Sequence, residues 1–280
     1  MSEGHTPLGE TTIKTTVKTT ATPARVAITK SAEGVAYISL NLAPANAYYE
    51  AFLREIGVVI RTLEQDDSVR VVVIKSGLEK FFCAGADIKV FASNSVQQNL
   101  ALVAAARINA DAIENSSKVY IAEISGHCLG GGLEIAMACD FIFAAEGNYR
   151  FGLPEIKLGL IPGNGGTQRL VRRIGRRAAM ELLLTGDTFG VGQAQELGLL
   201  DGIYSRDSLT EGTREFANEI ARGPGRAIAA TKRTLREGSS LPLAQGLALE
   251  AELADALYET PDAAEGLQAF LEKRSPVFNQ

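Results

Sequence analysis

Three consecutive glycines, Gly130, Gly131 and Gly132, stand between an apolar run ending at Ile124 and a short apolar helix pattern from Ile135 to Cys139. Glycine loses more backbone freedom on folding than any other residue, so three together before a helix mark a place where main chain must come close to something. The first amides of that helix have no partner within it and sit at the positive end of its dipole. They suit an anion or a developing oxyanion, and a single carboxylate, Glu134, follows at once. A ligand-free tight turn, a phosphate cradle and an oxyanion site share this pattern. The phosphate motifs are not met. A Walker loop needs Gly-Lys followed by Ser or Thr, and the third glycine of a dinucleotide fingerprint falls on Ile135 here, or on Gln168 after Gly163 and Gly165.

At 280 residues, 46% hydrophobic and 22% charged, the chain has the balance of a soluble globular protein with a substantial core, as one large domain or a domain plus an appendage. A net charge of -5 argues against nucleic acid as the default partner, because a phosphate backbone demands a basic footprint. The sequence carries no bilayer-length apolar run and no charged-then-apolar leader, so no membrane association is expected. Cys83, Cys128 and Cys139 are odd in number and form no Cys-x-x-Cys pair, which fits a reducing compartment; the cytoplasm is the expectation. His127 is the only histidine beyond the first 24 residues, and the Gly-x-Ser-x-Gly elbow is missing. A His-based triad or metal cluster therefore has almost no material. No metal and no redox cofactor is expected, and His127 reads as a turn residue.

Residues 1–24 are rich in threonine and poor in large apolar side chains, the composition of a mobile tail. Residues 25–207 read as the α/β core and 208–280 as a helical region. Strands are predicted at 26–29, 35–40, 69–74, 119–124 and 199–204, with helices over 48–63 and 96–113. A second small-residue turn, Ala84-Gly85-Ala86-Asp87, follows the strand at 69–74. Strand, glycine turn and helix thus occur twice, each turn at a strand's carboxyl end, where open α/β sheets place ligands. Beyond 208 the pattern gives helices at 209–222, 225–237, 241–259 and 261–273, with Ser240 and Thr260 as N-caps and Pro261 opening the last. The segment 241–257 is more apolar than one core face requires, which predicts burial against another subunit or the first domain.

Together these turns closely resemble the crotonase family of enoyl-CoA hydratases, isomerases and their relatives. The similarity runs from about Arg25 to Phe278 and rests on Phe82-Cys83-Ala84-Gly85-Ala86-Asp87-Ile88-Lys89, on Leu129-Gly130-Gly131-Gly132-Leu133-Glu134-Ile135-Ala136, and on Phe151-Gly152-Leu153-Pro154-Glu155 with Pro162-Gly163-Asn164-Gly165-Gly166-Thr167-Gln168-Arg169-Leu170. The resemblance implies a spiral of ββα units with a carboxyl-terminal helical region that joins homotrimers, often paired as dimers of trimers. It implies an acyl-CoA thioester substrate, with coenzyme A part of that substrate rather than a cofactor. By motif position the enolate oxygen is held by the N–H groups of Ala86 and Gly131, and Glu134 and Glu155 match the two catalytic glutamates of the hydratases. The backbone from Ala84 through Asp87 and Ile88 to Lys89, with Ala45 and Gly130, is implied to hold the CoA and acyl portions. Lys80, Lys89 and Lys273 are implied to meet phosphates, Phe270 to contact the CoA or acyl portion and Lys273 to reach across to a neighbouring subunit, and the acyl pocket is placed along 90–102.

Two features modify the expectation. The family often has Arg-Pro and a Leu-Asn-Ala-Leu segment near 41–48, where this chain has Asn41-Leu42-Ala43-Pro44-Ala45-Asn46-Ala47-Tyr48, so a basic residue common near Ala43 is missing. Tyr48 and Tyr49 either reshape the acyl end or pack a helix start. Asp87 and Asp140, beside the motifs, read as capping or buried hydrogen-bonding groups. Having both glutamates favours hydration of a 2-enoyl-CoA to a 3-hydroxyacyl-CoA. An isomerase or a lyase on an unusual acyl-CoA, and a non-catalytic RNA-binding or scaffold member, are the alternatives.

Overall fold

Val71–Ser76 (β3) and Val119–Ile124 (β5) are apolar runs without polar alternation, and β5 is buried at every position. Such strands belong inside a parallel sheet covered on both faces. That is their place in the computed structural model, which describes residues 24–278; the threonine-rich segment expected as a tail, up to residue 23, lies outside the described residues. With β1 (Val26–Lys30), β2 (Val35–Leu40), β7 (Phe141–Ala145) and β9 (Gly202–Tyr204) they form a six-stranded sheet in the order β1-β2-β3-β5-β7-β9. Only the β1–β2 pair is antiparallel.

Period-2 alternation sends Val72, Ile74, Tyr120, Ala122, Ile142 and Ala144 to one face, against α1 (Glu50–Glu64) and α3 (Val96–Asn115). The other face carries Val71, Val73, Val119, Ile121 and Phe143 against Leu209, Ala217 and Ala221 of α7 (Leu209–Ala221). The first helix beyond 208 therefore covers this chain's own sheet, and Phe216 sets its ring edge-on to Phe143 at 5.1 Å.

The glycine turns do not hang directly from the main sheet as the sequence suggests. After β3 the chain turns into β4 (Phe81–Cys83), after β5 into β6 (His127–Leu129) and after β7 into β8 (Phe151–Gly152). These three short strands make a second parallel sheet in the order β4-β6-β8. Each unit then continues into a helix: α2 (Ile88–Ser93) and α3, α4 (Gly131–Ala138), and a 3-10 turn (Pro154–Leu158) leading to α5 (Gly166–Thr185). A strand in each sheet followed by a helix, three times over, is the ββα spiral. Two- and three-residue strands carry too little hydrophobic pattern for the small sheet to show in the sequence. It brings the turns at 84–87 and 130–131 and the segment after Gly152 side by side.

After α6 (Val191–Glu196) and α7 come α8 (Gly225–Arg233), a π turn (Thr234–Gly238), α9 (Leu243–Asp255) and α10 (Pro261–Glu272). Thr260 caps α10 by accepting from Ala263 N, with Pro261 at the first position. Ser240 is not a cap, since the chain turns once more and α9 starts after Pro242, which has no side-chain acceptor to offer. No residue of α9 is buried, and Leu243 is 78% exposed.

Candidate active site

The first turn is held by a short parallel bridge between Tyr48 and Ala86. Tyr48 N donates to Gly85 O at 2.8 Å, and Asp87 N donates to Tyr48 O at 2.9 Å. Across a planar trans peptide the carbonyl and N–H point in opposite directions, so fixing Gly85 O on Tyr48 turns Ala86 N–H away from it. Gly85 has φ +86°, and a Cβ there would stand 2.9 Å from Gly131 N. The second turn has Gly130 at φ +52°, with Gly131 opening α4. Only glycine allows both the backbone angles and the approach of the two turns, which sets Ala86 and Gly131 at the wall of one cavity. Gly131 is the first residue of α4, so its N–H has no partner within the helix and adds to the positive end of the dipole.

Glu134 sits one turn into α4 and is 1% exposed. One oxygen, Oε1, accepts from Asn164 N at 2.7 Å and from Gly166 N at 2.8 Å. Those donors come from the glycine-rich loop before α5, whose small residues let the backbone close on the carboxylate. Burial raises the Glu134 pKa, while the two amides and the more distant Arg169 and Arg107 oppose that rise. Glu155, in the 3-10 turn, is half-buried. Burial lifts its pKa to about 7, its own backbone N–H opposes the rise, and the nearby Glu134 charge adds to it. Glu155 Oε2 and Asn164 Oδ1 are buried with no hydrogen-bond partner among the described residues. Two carboxyls in one cavity with unequal environments are poised for opposite proton duties near neutral pH.

The cavity measures about 430 Å³ and is lined by Ala84, Ala86, Ile88, Gly130, Gly131, Glu134 and Glu155 among the residues singled out from the sequence. Its apolar wall takes Phe91, Val96, Leu100 and Leu102 from the segment expected to hold the acyl chain, and adds Val103, Leu158, Leu160 and Ile161. Val96, Leu100, Leu158 and Ile161 are each more than half exposed, forming an apolar mouth. Ala45 supports the site from behind, accepting from Ala84 N at 3.0 Å. Asp87 is spent as the N-cap of α2, accepting from Lys89 N and Val90 N. Lys80, Lys89, Phe270 and Lys273 are exposed and do not line the cavity. His127 accepts from Arg150 N and packs on Phe81, also outside it. Among the described residues no cluster of three metal-ligating side chains occurs, and no helix is long and apolar enough to cross a membrane.

Two cavity residues were weakly signalled. Asn164 showed only as the one large residue within Gly163-Asn164-Gly165-Gly166, yet its backbone N–H holds Glu134. Tyr48, left between two readings by the sequence, is 3% exposed; its hydroxyl accepts from Asn164 Nδ2 at 3.1 Å, and its ring lines the cavity.

Residues 30–280 match the enoyl-CoA hydratase/isomerase family model. The chain belongs to that family, the crotonases. It is 38% identical over 248 residues to the 2,3-dehydroadipyl-CoA hydratase of Escherichia coli strain K12, covering 87% of this chain and 94% of that protein. It is 39% identical over 246 residues to a probable enoyl-CoA hydratase of Rhizobium meliloti strain 1021, with 87% and 94% covered. Among solved structures, this crotonase superposes on an enoyl-CoA hydratase from Bacillus anthracis with a TM-score of 0.88 at 36% identity, covering 91% of this chain and 99% of that one. An enoyl-CoA hydratase from Mycobacterium smegmatis gives 0.85 at 29% identity, over 92% and 100% of the two chains.

Proposed function

We propose that this crotonase is an enoyl-CoA hydratase, adding water across the 2,3 double bond of a 2-enoyl-CoA to give a 3-hydroxyacyl-CoA. The observation that carries the reading is the pair Glu134 and Glu155 in one cavity with the Ala86 and Gly131 turns. Glu134, held by two amides at one oxygen, is the better anion and takes a proton from water as its oxygen attacks C3. The electrons of the double bond move toward the thioester, and the resulting enolate oxygen is held by the Ala86 and Gly131 N–H groups. Glu155, whose pKa of about 7 keeps about half of it protonated at neutrality, gives its proton to C2. One O–H bond and the C2–C3 π bond break; C3–O and C2–H form. Passing the proton from Glu134 to Glu155 restores both groups.

The apolar mouth suits a hydrocarbon acyl chain. Exposed leucines on α9 support assembly as a homotrimer or a dimer of trimers, which light scattering of the purified chain tests. Incubation with crotonyl-CoA should consume the enoyl absorbance, and Glu134→Gln should abolish turnover while CoA binding persists. An unchanged rate in that variant defeats the mechanism. Conversion of 3-enoyl-CoA with crotonyl-CoA left intact favours isomerisation, and an isomerase/hydratase of Mycosarcoma maydis is among the relatives at 38% identity over 215 residues.

A further inference from the structure

Tyr48 meets both glycine turns and the Asn164 loop that holds Glu134. Its main chain clamps Gly85 and Asp87 on either side of Ala86. Its hydroxyl lies under Gly131, where any Cβ would overlap it. The same hydroxyl accepts from the side chain of Asn164, whose backbone N–H holds Glu134. We propose that Tyr48 is a positioning residue that sets the two oxyanion turns and, through Asn164, the Glu134 carboxylate in one rigid arrangement. This rests on the hydratase reading.

Three observations favour this over simple packing. Tyr48 and Asn164 are 3% exposed each, so their hydrogen bond forms away from bulk water, where a polar contact carries most weight. Burial pushes the phenol pKa well up, with the Glu134 and Glu155 charges adding, so the hydroxyl keeps its proton at working pH. The positions come from three separate segments, the loop before α1, the start of α4 and the loop before α5, which no shared local structure holds together.

The test is a double-mutant cycle on Tyr48→Phe and Asn164→Ala. The first substitution keeps the ring and the second keeps the backbone N–H, and thermal unfolding by circular dichroism checks that each variant folds. Displacing a catalytic group by a fraction of an ångström to an ångström costs about 10- to 100-fold in rate. Each single variant should therefore lose about 10-fold in kcat on crotonyl-CoA with KM within about twofold, and the double variant should lose no more than either. A loosened Asn164 N–H also withdraws support from ionised Glu134. The groups facing Glu134 besides Asn164 are Glu155, Tyr48, Gly166 N–H, Arg169 and Arg107, and Tyr48→Phe changes the charge of none of them. The Glu134 midpoint, followed by NMR of carbon-13-labelled glutamate, should therefore rise in both single variants. A Tyr48→Phe protein with wild-type kcat and midpoint overturns the proposal, as do losses that multiply in the double variant. A wild type that leaves crotonyl-CoA untouched defeats the hydratase reading instead, and the NMR midpoint then still decides the role of Tyr48.

Discussion

Glu155 lies against Gly130: a Cβ built on Gly130 would stand 3.0 Å from Glu155 Oε1. The glycine thus does two things. It adopts a φ of +52° with ψ near -132°, which side chains rarely adopt, and it leaves room for the Glu155 carboxyl at the cavity wall. Gly130→Ala should displace Glu155 and strain the turn, costing about 1–3 kcal/mol of stability and on the order of 100-fold in kcat. Urea unfolding and steady-state hydration measure both; a kcat within twofold of wild type would show that Glu155 is not fixed by this contact.

The elevated Glu155 pKa makes stability depend on pH in a definite direction. A carboxyl raised from 4.5 to about 7 binds its proton more tightly in the folded protein than in the unfolded chain. Its contribution therefore favours the folded state at low pH and is lost as pH rises from about 4.5 through about 7. Discounting for partial exposure, Glu155→Gln should be about 1–2 kcal/mol more stable than wild type at pH 8, with no such gain at pH 4.5. Urea unfolding at the two pH values decides it, and an equal difference at both would remove Glu155 as the titrating group. Activity should fall along the same rise in pH if Glu155 supplies the proton for C2, as proposed above.

Much of this site was legible from residue identity because its chemistry needs glycine where backbone approaches backbone. Gly85, Gly130 and Glu134 stand in short glycine-rich runs that draw the eye to a close approach of backbone. What the sequence hid was the device joining them. The small sheet of β4, β6 and β8 has two to three residues per strand, too few for a hydrophobic period to show. Asn164 holds Glu134 through its backbone N–H, a group every residue but proline carries, so that contact leaves no mark on the sequence. The sequence leaves Tyr48 between the acyl end and a helix start, and only the fold places its hydroxyl under Gly131. Helix ends follow the chemistry of the cap: Thr260 has a hydroxyl where α10 needs one, while Ser240 lies two residues before Pro242, the N-cap position of α9.

Thr260 supplies a test free of the active site. Its hydroxyl accepts from Ala263 N at 3.2 Å and donates to Leu257 O at 2.7 Å, and the residue is 7% exposed. Thr260→Ala takes the side-chain acceptor from Ala263 N, while Leu257 O keeps its bond from Thr260 N, and should cost about 1 kcal/mol, within the range for lost N-caps. Thermal unfolding should show it while hydration kinetics stay at wild-type values; a drop in kcat would mean that α10 reaches the site.

Lys232 extends from α8 under the main sheet, donating to Asp140 Oδ2 at 2.7 Å and to Lys118 O at 2.8 Å. Asp140 Oδ2 also accepts from Tyr120 N at 2.8 Å, so the pair ties α8 to the β5 and β7 strands that carry the site. Burial raises the Asp140 pKa even with Lys232 opposing it. Lys232→Met keeps the apolar stem but leaves a mostly buried carboxylate without its cation, which should cost about 3 kcal/mol at pH 7. The Asp140 pKa then climbs further above its unfolded value, and protonation at low pH relieves the charge. The deficit should therefore shrink between pH 7 and pH 4, read as the difference in urea midpoints at each pH. A deficit of the same size at both would assign the loss to packing of the lysine stem rather than to the ion pair.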